Sequence, residues 1–133
     1  MLMSKILVID DEQGIRNLLD TLLSRKSYEV VPASNGQNGL ELFRRERPDI
    51  IMLDLIMLEP DGVTVLKQIR SVDLDQPVII WTGGNTPRTE QQVRALGVSE
   101  VIMKGSALHS LEDTINRLLE TPTPLPIVAY EIE

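Results

Sequence analysis

The chain has 133 residues, of which 42% are hydrophobic and 25% charged, and its formal net charge at pH 7 is −7. These values are typical of one globular domain, and the acidic charge disfavours direct nucleic-acid binding. The absence of cysteine excludes disulfides, thiolate metal sites and cysteine nucleophiles. No apolar run approaches the roughly 20 residues of a membrane-spanning helix, and no signal peptide pattern is present. The composition therefore predicts a cytoplasmic domain that does not contact a membrane.

Four short apolar runs, rich in β-branched residues, each end at a polar residue. The runs are Lys5–Ile9 before Asp10, Asp49–Leu53 before Asp54, Pro77–Trp81 before Thr82, and Glu100–Met103 before Lys104. Continuous runs of this length are typical of strands buried on both faces of a parallel sheet. The more mixed run Tyr28–Ala33 predicts an edge strand.

Helical patterns fill the intervals between these runs. Apolar residues recur at helical spacing from Ile15, Leu40, Val65 and Leu108, while Thr86-Pro87 and Gly97 are typical of a helix start and stop. Strand and helix thus alternate five times. This alternation predicts an α/β fold, a doubly wound five-stranded parallel sheet with five helices on its two faces and right-handed crossovers.

The composition changes after Glu120. Pro122, Pro124 and Pro126 alternate with Thr and Leu, a pattern that favours extended, polyproline-like chain. We therefore expect one domain over residues 1–120 and a Pro-rich linker or tail over 121–133. Ile127–Glu133 would suit a short strand that pairs with a neighbour or begins another domain.

The polar residues at the strand ends are predicted to form one site. In doubly wound sheets, ligands bind beyond the carboxyl ends of the strands. Asp10, Asp11, Asp54, Thr82 and Lys104 all lie at such ends and should converge on one edge.

The residue types of this site favour phosphoryl chemistry. Three close carboxylates raise one another's pKa unless positive charge offsets them, and Mg²⁺ together with Lys104 would do so. A carboxylate can also be a nucleophile toward phosphorus, with catalysis coming from positioning and charge neutralisation. The Thr82 hydroxyl could then donate a hydrogen bond to a phosphoryl oxygen.

With these residues in place, the chain resembles the receiver domain of two-component response regulators over about residues 4–120. The resemblance implies the flavodoxin-like strand order 2-1-3-4-5. It also implies roles for three residues: Asp54 as phosphoacceptor, Thr82 as the switch hydroxyl and Lys104 as the phosphoryl-binding lysine. Such a domain is not an enzyme in the ordinary sense, since it catalyses only its own phosphorylation and dephosphorylation.

The resemblance further implies a set of metal ligands and partners. Mg²⁺ or Mn²⁺ would be bound by Asp11 directly, by Asp10 through water, by Asp54 and by the backbone carbonyl of Ile56. A sensor histidine kinase or phosphotransfer protein would supply the phosphoryl group. The surface Pro87–Glu120 would be read by partners or form a homodimer. The chain would be a stand-alone regulator or a receiver cut from a longer protein.

Several positions differ from the family pattern. Leu58 stands where a proline is usual after the acceptor, Gly105 replaces the proline after the lysine, and Val101 replaces the switch aromatic. The usual coupling of hydroxyl to aromatic is therefore not expected. Ile56 and Gly84, which flank the path of the attacking water in the family, carry no hydrogen-bonding side chain, so slow self-dephosphorylation is expected.

Other interpretations of the same residues stay open at this point. The acidic run after the first strand could simply cap the first helix. The domain could be a phosphorylation-independent scaffold, as Val101 and Gly105 favour, or a Mg²⁺-dependent phosphatase with an Asp nucleophile. The phosphatase is disfavoured because its usual Asp-x-Asp is absent. His109 is expected to be a surface residue without a catalytic role.

Overall fold

The computed structural model describes residues 3–84, 86–106 and 108–120. Five strands form one parallel sheet in the order β2-β1-β3-β4-β5. The strands are β1 Lys5–Ile9, β2 Glu29–Ala33, β3 Ile50–Leu53, β4 Val78–Thr82 and β5 Glu100–Met103. The helices are α1 Gln13–Ser24, α2 Gly36–Glu46, α3 Gly62–Val72, α4 Pro87–Leu96 and α5 Leu108–Glu120. The predicted fold class and strand order are confirmed.

One prediction concerns residues that the structure does not describe, and another can be compared only with the described residues. The Pro-rich linker or tail over 121–133 lies outside the described residues. Within those residues, no helix is long and apolar enough to span a membrane.

The sheet is covered by helices on both faces, so its core has two layers. On one face, Leu7, Ile51 and Ile80 lie in a cluster with side chains from α2, α3 and α4. On the other, Ile6 and Trp81 lie in a cluster with side chains from α1 and α5. Burial on both faces explains why the strand sequences are continuously apolar instead of alternating.

Side-chain caps begin three of the helices. At the starts of α2, α3 and α4, the side chains of Asn35, Asp61 and Thr86 each accept a hydrogen bond from the backbone N–H three residues later. At the start of α1, the N-cap Glu12 makes no side-chain cap. The Asp10 Oδ1 atom instead accepts a bond from the Glu12 backbone N–H at 2.9 Å. The acidic run therefore shapes the loop before α1 without capping that helix through Glu12.

Strand boundaries differ from the expectation by one residue. β2, β3 and β4 begin one residue later than predicted, and Thr82 is the last residue of β4 instead of following it. Thr82 pairs with Met103 of β5, and its carbonyl accepts a bond from the Lys104 N–H at 2.8 Å. Backbone pairing, which apolar patterns do not report, therefore sets this boundary.

Candidate functional site

Three carboxylates meet at the carboxyl edge of the sheet, the edge formed by the C-terminal ends of the strands. The Asp54 N–H donates to the Ile9 carbonyl at 3.0 Å, which places Asp54 beside the end of β1. One carboxylate oxygen from each of Asp10, Asp11 and Asp54 lies within 4.8 Å of the others. These three carboxylates, which the sequence analysis placed at one edge, therefore lie close together.

Lys104 connects this acidic cluster to β5. Its Nζ atom lies 2.9 Å from Asp10 Oδ2 and 3.2 Å from Asp54 Oδ2. Glu12 Oε1 is 3.7 Å away, a contact that the sequence did not single out. The lysine side chain is 12% exposed, so its charge is only partly screened by water.

Burial makes the charges of the site costly. Asp10 and Asp54 are 1% and 3% exposed, while Asp11 is exposed. Burial and the neighbouring charge of Asp10 raise the pKa of the Asp54 carboxyl, although Lys104 opposes the rise. Burial lowers the pKa of Lys104, but its ion pairs with the two buried carboxylates outweigh that effect and the net pKa is raised. The lysine therefore stays protonated and balances part of the negative charge.

The donor set fits a divalent cation. Three carboxylates and one ammonium leave a formal charge of −2 on the cluster. The Oδ2 atom of Asp10 is buried and accepts no well-directed hydrogen bond, although Lys104 lies beside it. Hard oxygen donors of this kind are those that Mg²⁺ prefers. The Ile56 N–H donates to Asp54 Oδ1 at 3.2 Å, which brings the Ile56 backbone to the site as well.

Thr82 lies at the end of β4, next to two glycines. Its side chain is fully buried, and Oγ1 donates to the Gly84 carbonyl at 3.1 Å. A Cβ atom on Gly83 would lie 3.8 Å from Lys104 Cδ, and one on Gly84 would lie 3.8 Å from Ile56 Cδ1. A methyl group at either glycine would therefore make only ordinary van der Waals contact with Lys104 or Ile56.

One side chain near the site makes a contact that the spacing of residues did not reveal. Arg16 Nη1 donates to the Asp10 backbone carbonyl at 2.7 Å and so ties α1 to the acidic loop. A basic residue one turn into the first helix is the only sequence signal for this contact. Val101 is half-buried and packs against the core, and its side chain has no aromatic ring. His109 is exposed, as expected.

Comparison with known proteins defines the class of the chain. The profile of the response regulator receiver domain family matches residues 6–116. The chain belongs to this family, and it is a domain of two-component signalling. This membership disfavours the phosphatase interpretation.

Relatives and solved structures agree with this assignment. Sporulation initiation phosphotransferase F of Bacillus subtilis is 31% identical over 119 residues, which cover 90% of this chain and 96% of that protein. The structure of the response regulator TrrA of Thermotoga maritima, in complex with Mg²⁺ and BeF, superposes with a TM-score of 0.80 at 31% identity. The match covers 87% of this chain and 99% of TrrA.

Longer relatives match over part of their length. The probable transcriptional regulator ycf27 of Guillardia theta is 37% identical over 115 residues, which cover 86% of this chain and 45% of that protein. The chain therefore spans about half the length of such relatives.

Proposed function

We propose that Asp54 accepts a phosphoryl group from the phosphohistidine of a sensor histidine kinase or a phosphotransfer protein. The observation that carries this proposal is the contact of Lys104 Nζ with both buried carboxylates, at 2.9 and 3.2 Å. A cation held this close to an aspartate at a strand end is suited to bind an oxygen of a phosphoryl group transferred to that aspartate.

The reaction exchanges one bond to phosphorus for another. An oxygen of the Asp54 carboxylate attacks phosphorus, the N–P bond of the phosphohistidine breaks, and the histidine nitrogen keeps the bonding electrons and takes up a proton. The attacking group must be ionised, and Lys104 favours that form even though burial raises the pKa of Asp54. The chain supplies position and charge, and the donor supplies the phosphoryl group.

The other residues of the site have distinct proposed roles. Lys104 binds a phosphoryl oxygen, and the Thr82 hydroxyl donates to another. Asp10, Asp11, Asp54 and the Ile56 carbonyl would hold Mg²⁺ or Mn²⁺. When bound, the metal neutralises charge on the phosphoryl oxygens and the acidic cluster.

Phosphorylation is proposed to alter how the domain binds other proteins. The surface Pro87–Glu120 contains α4, β5 and α5, and Met103 within it is 45% exposed. This surface is the proposed site for partner binding and for a homodimer. The proposed location of the protein is the cytoplasm, and the proposed domain boundary lies near residue 120. Light scattering before and after phosphorylation would measure the dimer directly.

Intact mass spectrometry after incubation with acetyl phosphate tests the reaction. The expected result is a gain of one phosphoryl group with Mg²⁺ and none after chelation by EDTA. Asp54→Asn should abolish the gain, whereas Asp20→Asn, a change at an exposed aspartate of α1, should leave it intact. Hydroxylamine should remove the group, since it cleaves acyl phosphates.

Two outcomes would contradict the proposal. A gain that persists in Asp54→Asn would move the acceptor elsewhere. No gain in a folded protein whose Mg²⁺ binding is established by Trp81 fluorescence would favour the phosphorylation-independent scaffold.

A further inference from the structure

A groove lies at the amino edge of the sheet, the edge formed by the N-terminal starts of the strands and opposite to the acidic cluster. Its volume is about 480 Å³. Phe43 and Pro48 line it from the side of α2, and Val72 and Gln76 line it from the side of α3. Pro48 and Gln76 come two residues before β3 and β4, which places the groove at this edge. The proposed function does not use it.

Apolar side chains are exposed beside the groove. Val72 is 59% exposed and Leu74 is 78% exposed, whereas Phe43 is 6% exposed and belongs to the core. Single exposed apolar residues are ordinary on a protein surface. Here two of them lie within three residues, and one of the two lines a cavity. Together they form a small apolar surface that a second segment of chain could cover.

Two arginines at the end of α2 give the groove a positive side. Arg44 and Arg47 line the groove and are exposed, and neither side chain forms a hydrogen bond or an ion pair with another residue that the structure describes. The guanidinium of Arg70, in contrast, donates to the carbonyls at the end of α4. Asp73 is the one acidic residue among the described residues that line the groove. The lining therefore has a formal charge of +1.

The backbone of Arg47 is strained. This residue is the C-cap of α2 and lies in the left-handed region, with φ 48° and ψ 63°. Glycine adopts such a conformation without steric cost, whereas a residue with a Cβ atom does not. A strained residue of this kind is a reason to look for a role of its side chain. The guanidinium of Arg47 beside an apolar cavity is suited to bind a carboxylate.

The sequence beyond the described residues contains a segment whose chemistry matches the groove. This C-terminal segment, residues 127–133, has two carboxylates, Glu131 and Glu133, and no basic residue. In extended chain, alternate side chains point to opposite sides. Three apolar side chains would then share one side of the segment: Val128, Tyr130 and Ile132. The segment thus offers carboxylates for the two arginines and an apolar side for the exposed apolar surface.

The end of α5 lies at the same edge as the groove. Tyr28, which directly precedes β2, donates a hydrogen bond to Asn116 of α5, so the last turns of this helix lie at the amino edge. Residues 121–126 connect α5 to the C-terminal segment. At about 3.1 Å per residue, a polyproline-like chain of this length spans roughly 19 Å, more than half of the ~30 Å diameter of a small domain. The connection is therefore long enough to lead along this edge from one helix layer to the other.

We propose that the C-terminal segment folds back and binds the groove at the amino edge. Its two glutamates pair with Arg44 and Arg47, and its apolar side covers the exposed side chains at the end of α3. The inference goes beyond the proposed function, because the carboxyl edge stays open while the segment is bound. The chain itself then controls the access of other proteins to the groove.

Paramagnetic broadening measured by NMR tests this contact in the complete chain. Since the chain has no cysteine, a nitroxide can be attached at Ser71→Cys, an exposed position of α3 next to Val72. It should broaden the backbone amide signals of residues 127–133. A nitroxide at Asn17→Cys should not, because this exposed position lies near the start of α1, and α1 begins at the carboxyl edge. No broadening from position 71, or equal broadening from both positions, would overturn the proposal.

A mixed sample identifies the molecule to which the segment binds. Isotope-labelled chain without a nitroxide is mixed with unlabelled chain that carries the nitroxide at position 71. The amide signals of the C-terminal segment should stay unchanged in this mixture. Broadening in the mixture would place the segment in the groove of a second copy and would overturn binding within one chain.

Matched arginine variants test the charge pairing. Arg44→Glu combined with Arg47→Glu should lower the ratio of bound to free segment about tenfold, because like charges replace opposite ones. Arg45→Glu, at an exposed arginine outside the lining of the groove, should leave the broadening as in the parent. Addition of Glu131→Lys and Glu133→Lys to the double variant should restore the broadening. If the exchange of charges does not restore it in chains whose circular dichroism matches the parent, the pairing is wrong.

Arg47→Gly separates the side chain of this residue from its backbone. Glycine accepts the left-handed conformation, so the midpoint of thermal unfolding should rise while the broadening of the segment falls. Broadening equal to that of the parent would show that the arginine does not bind the segment. All of these measurements are made without a phosphoryl donor, so their outcome does not depend on whether Asp54 is phosphorylated.

Discussion

The middle of the sheet and its carboxyl edge are almost equally buried, yet they differ in what burial does. In the middle, Ile51 and Ile80 are fully buried and contribute stability through apolar packing. At the edge, Asp10 and Asp54 are 1% and 3% exposed, and burying their charges costs free energy. Lys104 offsets part of that cost. Strand β3 thus contributes stability along its length, whereas the proposed reactivity belongs to Asp54, one residue beyond its end.

The largest effect is expected in the middle of the sheet. Ile51→Ala should lower the free energy of unfolding by about 4 kcal/mol, because it removes buried methyl groups and leaves a cavity. Urea unfolding measures this loss. The folded fraction should still accept a phosphoryl group. Val72→Ala, at a residue that is 59% exposed, should change stability by less than about 0.5 kcal/mol. A comparable loss in the free energy of unfolding in both variants would contradict the expected difference between buried and exposed positions.

Removal of Lys104 should reveal the free-energy cost of burying two carboxylates at the carboxyl edge of the sheet. Without Mg²⁺, Lys104→Met should lower the free energy of unfolding by about 3 kcal/mol, since the buried carboxylates lose their partner. Lys67→Met, at an exposed lysine of α3, is the matched control and should have little effect.

The loss in Lys104→Met should depend on pH. The raised pKa of Asp54 means that the folded state binds its proton more readily than the unfolded state. The variant should therefore regain stability as the pH falls through the raised pKa of Asp54 in the folded state. The gain should stop near the unfolded value, about 3.9. A loss that is constant over this range would show that repulsion at the edge is not its cause.

Mg²⁺ should stabilise the edge in the parent chain. At a concentration 100 times its Kd, the ion should raise the free energy of unfolding by about 2.7 kcal/mol, because it binds the folded state. EDTA should reverse the gain. Asp11→Asn should lose most of it, whereas Asp20→Asn should retain it. Thermal unfolding with and without the ion measures each effect, and an equal gain in Asp11→Asn would place the metal elsewhere.

The smallest expected effect concerns the lifetime of the phosphorylated state. Ile56 is 62% exposed and has no polar atom to bind an attacking water. Ile56→Asn should speed dephosphorylation by about fivefold, which corresponds to a barrier lower by roughly 1 kcal/mol. Leu58→Asn, at a residue that is 84% exposed in the same loop, should leave the rate unchanged. Release of inorganic phosphate measures both rates; an unchanged rate in Ile56→Asn would mean that this side chain does not limit water.

Parts of the fold and site were predictable because their signals are local. Thr86 and Pro87 mark the start of α4, because a helix N-cap favours a hydroxyl side chain and the first helical position suits the fixed φ of proline. Gly97 marks its end, because a φ of 95° lies in the left-handed region that favours glycine. The strand ends were found to within one residue. The contact of Glu12 with Lys104 was not predicted, because it joins residues that are distant in sequence.

The sequence by itself determined the alternation of strands and helices and the residues at the carboxyl ends of the strands. Periodic burial and capping act over a few neighbouring residues, so they can be read along the chain. Only the tertiary structure decided that Glu12 lies beside Lys104 and that Arg70 binds the carbonyls at the end of α4. Such contacts depend on how helices and strands pack, and packing brings together groups whose separation in sequence carries no local signal.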